Sequence, residues 1–164
     1  MRRNYNEETN LDCLLPLFTA IFALPVSAEE ADAEILISRT VEVQPDGSSI
    51  EILLYQSPVY TRGNSYSMSG SKVYNSTNAA GEVQWTFRVT GVFKVVEGSS
   101  VYCTSASHSY TIAEDDWNYG SGSSYKSGNK AIGNAEFNRK VLGIIVETDT
   151  CTVTLTCDAN GNLS

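Results

Sequence analysis

The feature that most constrains the fold of this chain is the strict alternation of side chains between residues 83 and 96. A period of two residues over such a length excludes an α-helix, whose apolar positions recur about every 3.6 residues. The segment therefore predicts a half-buried β-strand whose apolar face contributes to the core. That face carries Val83, Trp85, Phe87, Val89, Phe93 and Val95.

The same period of two recurs along the rest of the chain. Residues 35–43 and 50–54 alternate on either side of a turn sequence, QPDGS, which supplies proline, aspartate and glycine, and together they predict a hairpin. Small residues on one face between Ala131 and Phe137 predict a close approach of two sheets. Further strands are predicted at residues 101–112, 131–140 and 151–157.

Two regions have weaker patterns. Residues 57–81 are rich in Ser, Gly, Asn and Tyr and predict an edge strand within long loops. Residues 113–117 predict a single helical turn, followed by a Gly/Ser loop through Ser124. Six to seven short strands without an amphipathic helix predict an all-β fold, an antiparallel β-sandwich that is immunoglobulin-like or similar.

The N-terminal part of the chain has the pattern of an export signal. Residues 13–28 form an apolar run that is shorter than the ~20 residues needed for a membrane-spanning helix, and it ends in the small residues of VSA. We predict a signal peptide at 1–28, an acidic N-terminal segment at 29–34 and a β-sandwich domain at 35–164. The expected location is secreted, or loosely associated with the cell surface, with no membrane insertion after cleavage.

Charge narrows the choice of partner. The chain has 11 Lys and Arg against 19 Asp and Glu, a formal charge of −8 with a pI near 4.6. Such a balance argues against nucleic acid and anionic membranes as partners. One histidine and four cysteines also argue against a multi-histidine metal centre, and the sequence predicts no metal and no cofactor.

Three cysteines remain after the predicted cleavage, so one of them must be unpaired. Cys151 and Cys157 lie six residues apart on one strand, ~20 Å by strand rise, too far for a bond with each other. Either could pair with Cys103. We predict the Cys103–Cys157 disulfide, because it would hold the last strand against fraying, and the Cys103–Cys151 pairing remains the alternative.

Residues 82–164 resemble a group of small exported all-β proteins from Gram-positive bacteria. The resemblance is carried by WTF at 85–87, by CTSAS at 103–107 and by Gly91, Phe93 and Trp117. It continues in KSGNKA at 126–131 and VTLTCDANGNLS at 153–164. It implies export and an all-β fold, and it assigns no catalytic or ligand-binding residue.

The strongest candidate binding residues are Trp117, Tyr119 and Tyr125, which lie in a region rich in glycine and serine. Aromatic faces there can stack on sugar rings while nearby hydroxyl groups bond the sugar. Alternatively, Trp117 closes one end of the core. No catalytic residue is predicted, because His108 lies in mid-strand without a nucleophile turn and the carboxylates at 114–116 fit a solvated turn.

Two functions follow from these observations. The first is a secreted non-enzymatic β-sandwich that interacts with a glycan or a surface protein outside the cell. The second is a small secreted hydrolase whose site no sequence motif reveals. The lack of a nucleophile–base signature and the single histidine favour the first.

Overall fold

A computed structural model of the chain describes residues 34–58 and 63–164. The signal peptide predicted at 1–28 and most of the acidic segment at 29–34 lie outside these residues. No helix among the described residues is long and apolar enough to cross a membrane. The structure is all-β, with eight strands: β1 (Ile35–Val43), β2 (Ser49–Gln56), β3 (Ser65–Thr77), β4 (Val83–Val96), β5 (Ser100–Ile112), β6 (Trp117–Ser127), β7 (Lys130–Val141) and β8 (Ile144–Thr156).

The strands form two antiparallel sheets that share one core. The first sheet has the order β1-β2-β3-β4-β5, and the second has the order β6-β7-β8. Within each sheet, every neighbouring pair of strands is consecutive in sequence. An immunoglobulin fold instead divides consecutive strands between its two sheets, so the topology gives no support to that part of the prediction. The all-β prediction itself is confirmed.

The clearest sequence pattern matches the structure residue for residue. Strand β4 spans Val83–Val96, and its predicted core face is buried except at its first residue. The predicted hairpin is β1–β2, closed by the turn at residues 44–48. The apolar side chains of β1 are nevertheless exposed, because β1 is the outermost strand of its sheet and the second sheet does not cover it.

Two weaker predictions were wrong. Residues 65–77 form β3, a strand of 13 residues in the middle of the five-stranded sheet, where an edge strand in long loops was expected. Residues 113–116 form a turn, not a helix, and the expected loop up to Ser124 belongs to β6. In both regions the strand is stabilised by pairing with its neighbours and not by its own sequence pattern. Strand β3 is hydrogen-bonded along its length to β2 and β4, and β6 is hydrogen-bonded to β7.

The two sheets approach closely at the small residues of β7, as predicted. Gly133 lies opposite Val89 and Phe87, and a Cβ added to Gly133 would overlap Cγ2 of Val89 and lie 3.2 Å from the ring of Phe87. Ala131 and Ala135 are buried on the same face of β7. Small side chains in this strand therefore make room for the large side chains of β4.

The sheets are closed on one side and open on the other. At the closed side, β5 meets β6, and Tyr110 stacks on Tyr119 with ring centroids 3.8 Å apart. The three-stranded sheet covers β3, β4 and β5, and the backbones of β1 and β2 do not approach it closely. The opposite side, between β8 and β2, is consequently open.

The predicted disulfide between Cys103 and Cys157 is not formed, and Cys103, Cys151 and Cys157 are all free thiols. Cys103 lies on β5, and Cys157 directly follows β8, which packs over β3 and β4. Each sulfur is directed to a different neighbour. The Cys157 sulfur lies 3.6 Å from the sulfur of Met68, and the Cys103 sulfur lies 3.1 Å from the carbonyl oxygen of Ser105. Both thiols fill the core as small apolar groups.

Candidate functional site

The three predicted binding residues do not form one platform. Trp117 is only 2% exposed and belongs to the core, which corrects the expectation of an accessible indole. Tyr119 faces the core as well and packs edge-on against Phe137. Tyr125 is 50% exposed on the opposite face of β6. Of the two interpretations of Trp117, the structure therefore shows the one in which it closes the core.

A β-bulge explains the separation of the two tyrosines. Tyr119 pairs with Phe137, but Ser121 pairs with Glu136, so Gly120 is an extra residue in β6. An extra residue shifts the alternation by one, so the side chains after the bulge that would have faced the core now face outward. Tyr119 and Tyr125 are six residues apart, so in a regular strand they would point to the same face. Because of the bulge, they point to opposite faces of the sheet.

Tyr125 belongs to the outer face of the β6–β7–β8 sheet, which we call the polar face. On β8 this face carries a threonine at every second position from Thr148 to Thr156. On β6 and β7 it carries the residues that pair with them in the same rows. Three central rows are Ser121–Glu136–Thr150, Ser123–Asn134–Thr152 and Tyr125–Ile132–Thr154.

Hydrogen bonds between side chains hold the polar face in place. Thr152 donates to the Asn134 side-chain oxygen at 2.9 Å, and Thr148 donates to that of Asn138 at 2.7 Å. The Asn138 amide donates in turn to Glu136 at 2.9 Å. Since the amide oxygens are used in this way, the Asn134 NH₂ group is oriented away from Thr152 and can donate to a ligand.

A shallow depression of about 390 Å³ lies in the middle of the polar face. Hydroxyl and amide groups line it, with the Glu136 carboxylate as its one charged group. Tyr125 and Ile132 occupy the adjoining row and provide the apolar surface beside it. The lining side chains are Ser121, Ser123, Asn134, Glu136, Thr150 and Thr152.

A second cavity, a cleft of about 670 Å³, occupies the open side between the β1–β2 turn and β8. The Arg139 guanidinium donates to Asp116 at 2.6 Å and lies 3.5 Å from Glu147. The hydrogen bond to Asp116 is the main cause that raises the pKa of Arg139. Its charge is thus already neutralised by carboxylates of the protein.

Asp149 is the half-buried carboxylate of this cleft. It accepts a hydrogen bond from the indole N–H of Trp85 at 3.3 Å. Burial raises the pKa of Asp149, and the indole bond offsets part of that rise. Among the described ion pairs none includes Asp149, so its charge has no basic partner there.

Burial also determines the chemistry of the neighbouring thiol. It raises the pKa of Cys151, which lines the cleft, to about 11. The thiolate is the nucleophilic form of cysteine. The thiol of Cys151 therefore stays protonated at neutral pH and is a poor nucleophile.

His108 joins the two sheets at their closed side. Its Nδ1 lies 3.0 Å from the Ser124 hydroxyl, and its Nε2 lies 3.3 Å from the Tyr119 hydroxyl. A Ser–His–Asp arrangement requires a carboxylate on the second ring nitrogen, and a tyrosine hydroxyl occupies that place. The ring is thus a hydrogen-bonded strand histidine, as the sequence favoured.

The acidic cluster at 114–116 is divided among separate partners. Glu114 accepts a bond from the Asn78 amide at 3.0 Å, and Asp116 binds Arg139. In the C-terminal turn, Asp158 accepts the backbone N–H groups of Asn160 and Asn162, each at 2.8 Å. Within 34–58 and 63–164, no group of three or more acidic, cysteine or histidine side chains could hold a metal ion.

Sequence reasoning named Tyr125 as a candidate, and the structure places it exposed on the polar face, but that reasoning missed both cavities. The residues of the cleft come from β2, β3, β4, β7 and β8, and only the pairing of the strands brings them together. The one sequence signal for the polar face was the run of alternating threonines before Cys157. The chain matches no protein-family profile, no curated protein sequence and no solved structure.

Proposed function

We propose that this chain is a non-enzymatic, exported β-sandwich that acts by binding glycan on the polar face. The observation that carries the proposal is the arrangement of the three central rows, where hydroxyl and amide groups surround a depression beside Tyr125. A sugar presents alternating donors and acceptors around an apolar ring face. Serine and threonine hydroxyls can both donate and accept, which suits them to such a ligand.

The rigidity of the surface supports the proposal. The polar groups stand on paired strands, and side-chain hydrogen bonds already fix Asn134 and Asn138. A site on strands loses little conformational freedom when a ligand binds. Tyr125 adds an aromatic surface that is half exposed without a ligand.

Titration calorimetry against soluble polysaccharides tests this proposal. We expect Tyr125→Ala and Asn134→Ala each to weaken binding at least about tenfold, the equivalent of ~1.4 kcal/mol. Tyr102→Ala is the matched control, because Tyr102 is equally exposed but lies on β5 in the other sheet. Equal loss for Tyr102→Ala and Tyr125→Ala, or no binding to any glycan on an array, would overturn the assignment.

Export is part of the same proposal. The apolar run at 13–28, the small residues of VSA and the resemblance to exported Gram-positive proteins support it. N-terminal sequencing of the extracellular product should read EEADAE, beginning at Glu29. A product that stays in the cell with residues 1–28 attached would contradict export without affecting the glycan site.

The alternative function, a small secreted hydrolase, draws support from one feature of the cleft. A carboxyl with a raised pKa beside a second carboxylate is the pair that acid–base hydrolysis uses, and Asp149 and Glu147 provide such a pair. Release of reducing ends from a polysaccharide, abolished by Asp149→Asn but not by Tyr125→Ala, would favour the hydrolase over the binding module.

A further inference from the structure

The free edge of β8 is oriented to accept another strand. Thr156 exchanges two backbone hydrogen bonds with Ser164, at 2.9 and 3.0 Å, on the side of β8 that faces away from β7. Along an antiparallel strand, the N–H and C=O groups of successive residues point alternately to one neighbour and to the other. The backbone groups of Thr148, Thr150, Thr152 and Thr154 therefore point away from β7, as those of Thr156 do. Beyond Leu163 and Ser164, no described residue pairs with this edge.

We call the space beside this edge, between β8 and β2, the lane. Among residues 34–58 and 63–164, only Leu163 and Ser164 pair with β8 in the lane. Leu163 pairs with Cys157 and is buried against Gly70 of β3, so it fills the start of the gap between the sheets. Beyond Leu163 and Ser164, the gap between the sheets widens into the cleft described above. Ile50 on β2 is one of the residues that line this cleft. The free edge runs from Thr156 to Thr148, ~25 Å by strand rise, enough for about seven residues.

We propose that this lane binds an extended segment of a partner protein, which adds a fourth strand to the β6–β7–β8 sheet. The segment runs antiparallel to β8, in the direction that Leu163 and Ser164 already take. Main-chain hydrogen bonds to the threonine positions provide affinity, and side chains at alternate positions provide specificity. The inference is independent of glycan binding, which uses the face of this sheet and not its edge.

The inward-facing residues of β8 specify the side chains of the partner. Positions opposite Leu155, Val153 and Cys151 point into the gap. Leu155 and Val153 are fully buried in the core, and Cys151 shares the cleft with Ile50 and Tyr74, so apolar residues fit these positions of the segment. The next inward position lies opposite Asp149, which has no basic partner among the described residues. Lysine or arginine fits that position, at the carboxyl end of the segment.

The charge of the cleft points to the same basic residue. Among the described residues, the cleft is lined by Asp46, Glu147 and Asp149 against one basic side chain, Arg139, whose charge Asp116 and Glu147 already neutralise. A lysine side chain in the cleft would be attracted by the uncompensated carboxylates in a partly desolvated site. An acidic or neutral residue there would leave Asp149 without a partner.

The test uses a fluorescent peptide of about seven residues with capped ends, alternating valine and threonine and ending in lysine. Fluorescence anisotropy with the whole chain should show saturable binding. Replacing the lysine of the peptide with glutamine should weaken binding about tenfold for the natural protein and leave binding unchanged for Asp149→Asn. Amide exchange at Thr148, Thr150, Thr152 and Thr154 should slow when the peptide binds.

Thr152→Pro and Thr152→Val form the matched pair of variants. Proline removes an outward backbone donor and is tolerated on edge strands with a solvent-facing N–H, whereas valine keeps the donor. We expect Thr152→Pro to lose at least about tenfold in affinity relative to Thr152→Val. Equal affinity in two folded variants, or a peptide that binds without slowing exchange at the threonine amides, would overturn the proposal. If Thr152→Pro does not fold, amide exchange in the natural protein decides.

Discussion

The indole of Trp85 lies face to face with the ring of Phe137, with centroids 4.2 Å apart and planes 7° from parallel. Trp85 belongs to β4 and Phe137 to β7, so this stack joins the two sheets at the centre of the core. The indole N–H also bonds Asp149 of β8. Trp85 thus connects three strands. Trp117 lies in the same core, and no described residue accepts a hydrogen bond from its N–H.

We expect Trp85→Ala and Trp117→Ala to destabilise the fold to a similar degree. Both side chains are only 2% exposed, and truncating a buried aromatic residue costs about 3–5 kcal/mol. Urea unfolding monitored by circular dichroism measures the loss. The control is Tyr125→Ala, which removes an exposed ring and should change stability by less than about 0.5 kcal/mol. A Trp117→Ala protein that unfolds at the same urea concentration as the natural protein would show that Trp117 does not support the core.

Gly133→Ala should destabilise the protein although it adds only one methyl group. That methyl would overlap Val89 and press on Phe87, and overpacking of this kind costs about 1–3 kcal/mol. The double variant Gly133→Ala with Val89→Ala should recover part of the loss, because it removes the overlapping group. Thermal unfolding of both variants measures the recovery, and an unchanged melting temperature for Gly133→Ala would contradict the close approach.

The sequence predicts the core of this fold well because the core lies on strands with large side chains. Trp85, Phe87 and Val89 alternate without interruption, and burial follows that alternation directly. In β3 the buried positions include Ser71 and Ser76, whose residue type is more common in loops. Such a strand forms because both of its neighbours pair with it, and no local pattern shows that.

The position of the candidate site depends on two structural features that the alternation of side chains along one strand does not reveal. One was the bulge at Gly120, which reversed the direction of Tyr125 relative to Tyr119. The other was the arrangement of the sheets, since β8 covers β3 and β4 and leaves β2 uncovered. This arrangement opens the cleft at Asp149.

The three described thiols should be almost unreactive in the folded protein. Burial raises the pKa of Cys157 to about 11, as it does for Cys151, and it raises the pKa of Cys103 as well. At pH 8 few thiolates are therefore present to attack a thiol reagent. Brief treatment with iodoacetamide followed by peptide mass spectrometry should leave all three unmodified, and the same treatment in urea should modify all three. A peptide that joins Cys103 to Cys157 without reductant would contradict the free thiols.

Asp149 should make the protein less stable as the pH rises. Burial raises its pKa in the folded state above the value of 3.8 expected for an unfolded chain. Between those two pKa values the folded state holds the proton more tightly than the unfolded state, so stability falls as pH increases through that interval. Asp149→Asn removes the ionisation and keeps an oxygen that the Trp85 N–H can bond. We expect this variant to be more stable than the natural protein at neutral pH and nearly equal to it below pH 3.8, in urea titrations at both values.

Asp158 provides the control of opposite sign for this measurement. The Asn162 side chain and the backbone N–H groups of the C-terminal turn lower the pKa of Asp158. Its contribution to stability is therefore present at neutral pH and lost as the pH falls through the folded-state pKa. Asp158→Asn should lower stability at neutral pH, while Asp149→Asn raises it, so the two variants exclude a general effect of removing one negative charge. If both variants change stability in the same direction, the net charge of −8, and not the burial of Asp149, governs the pH dependence.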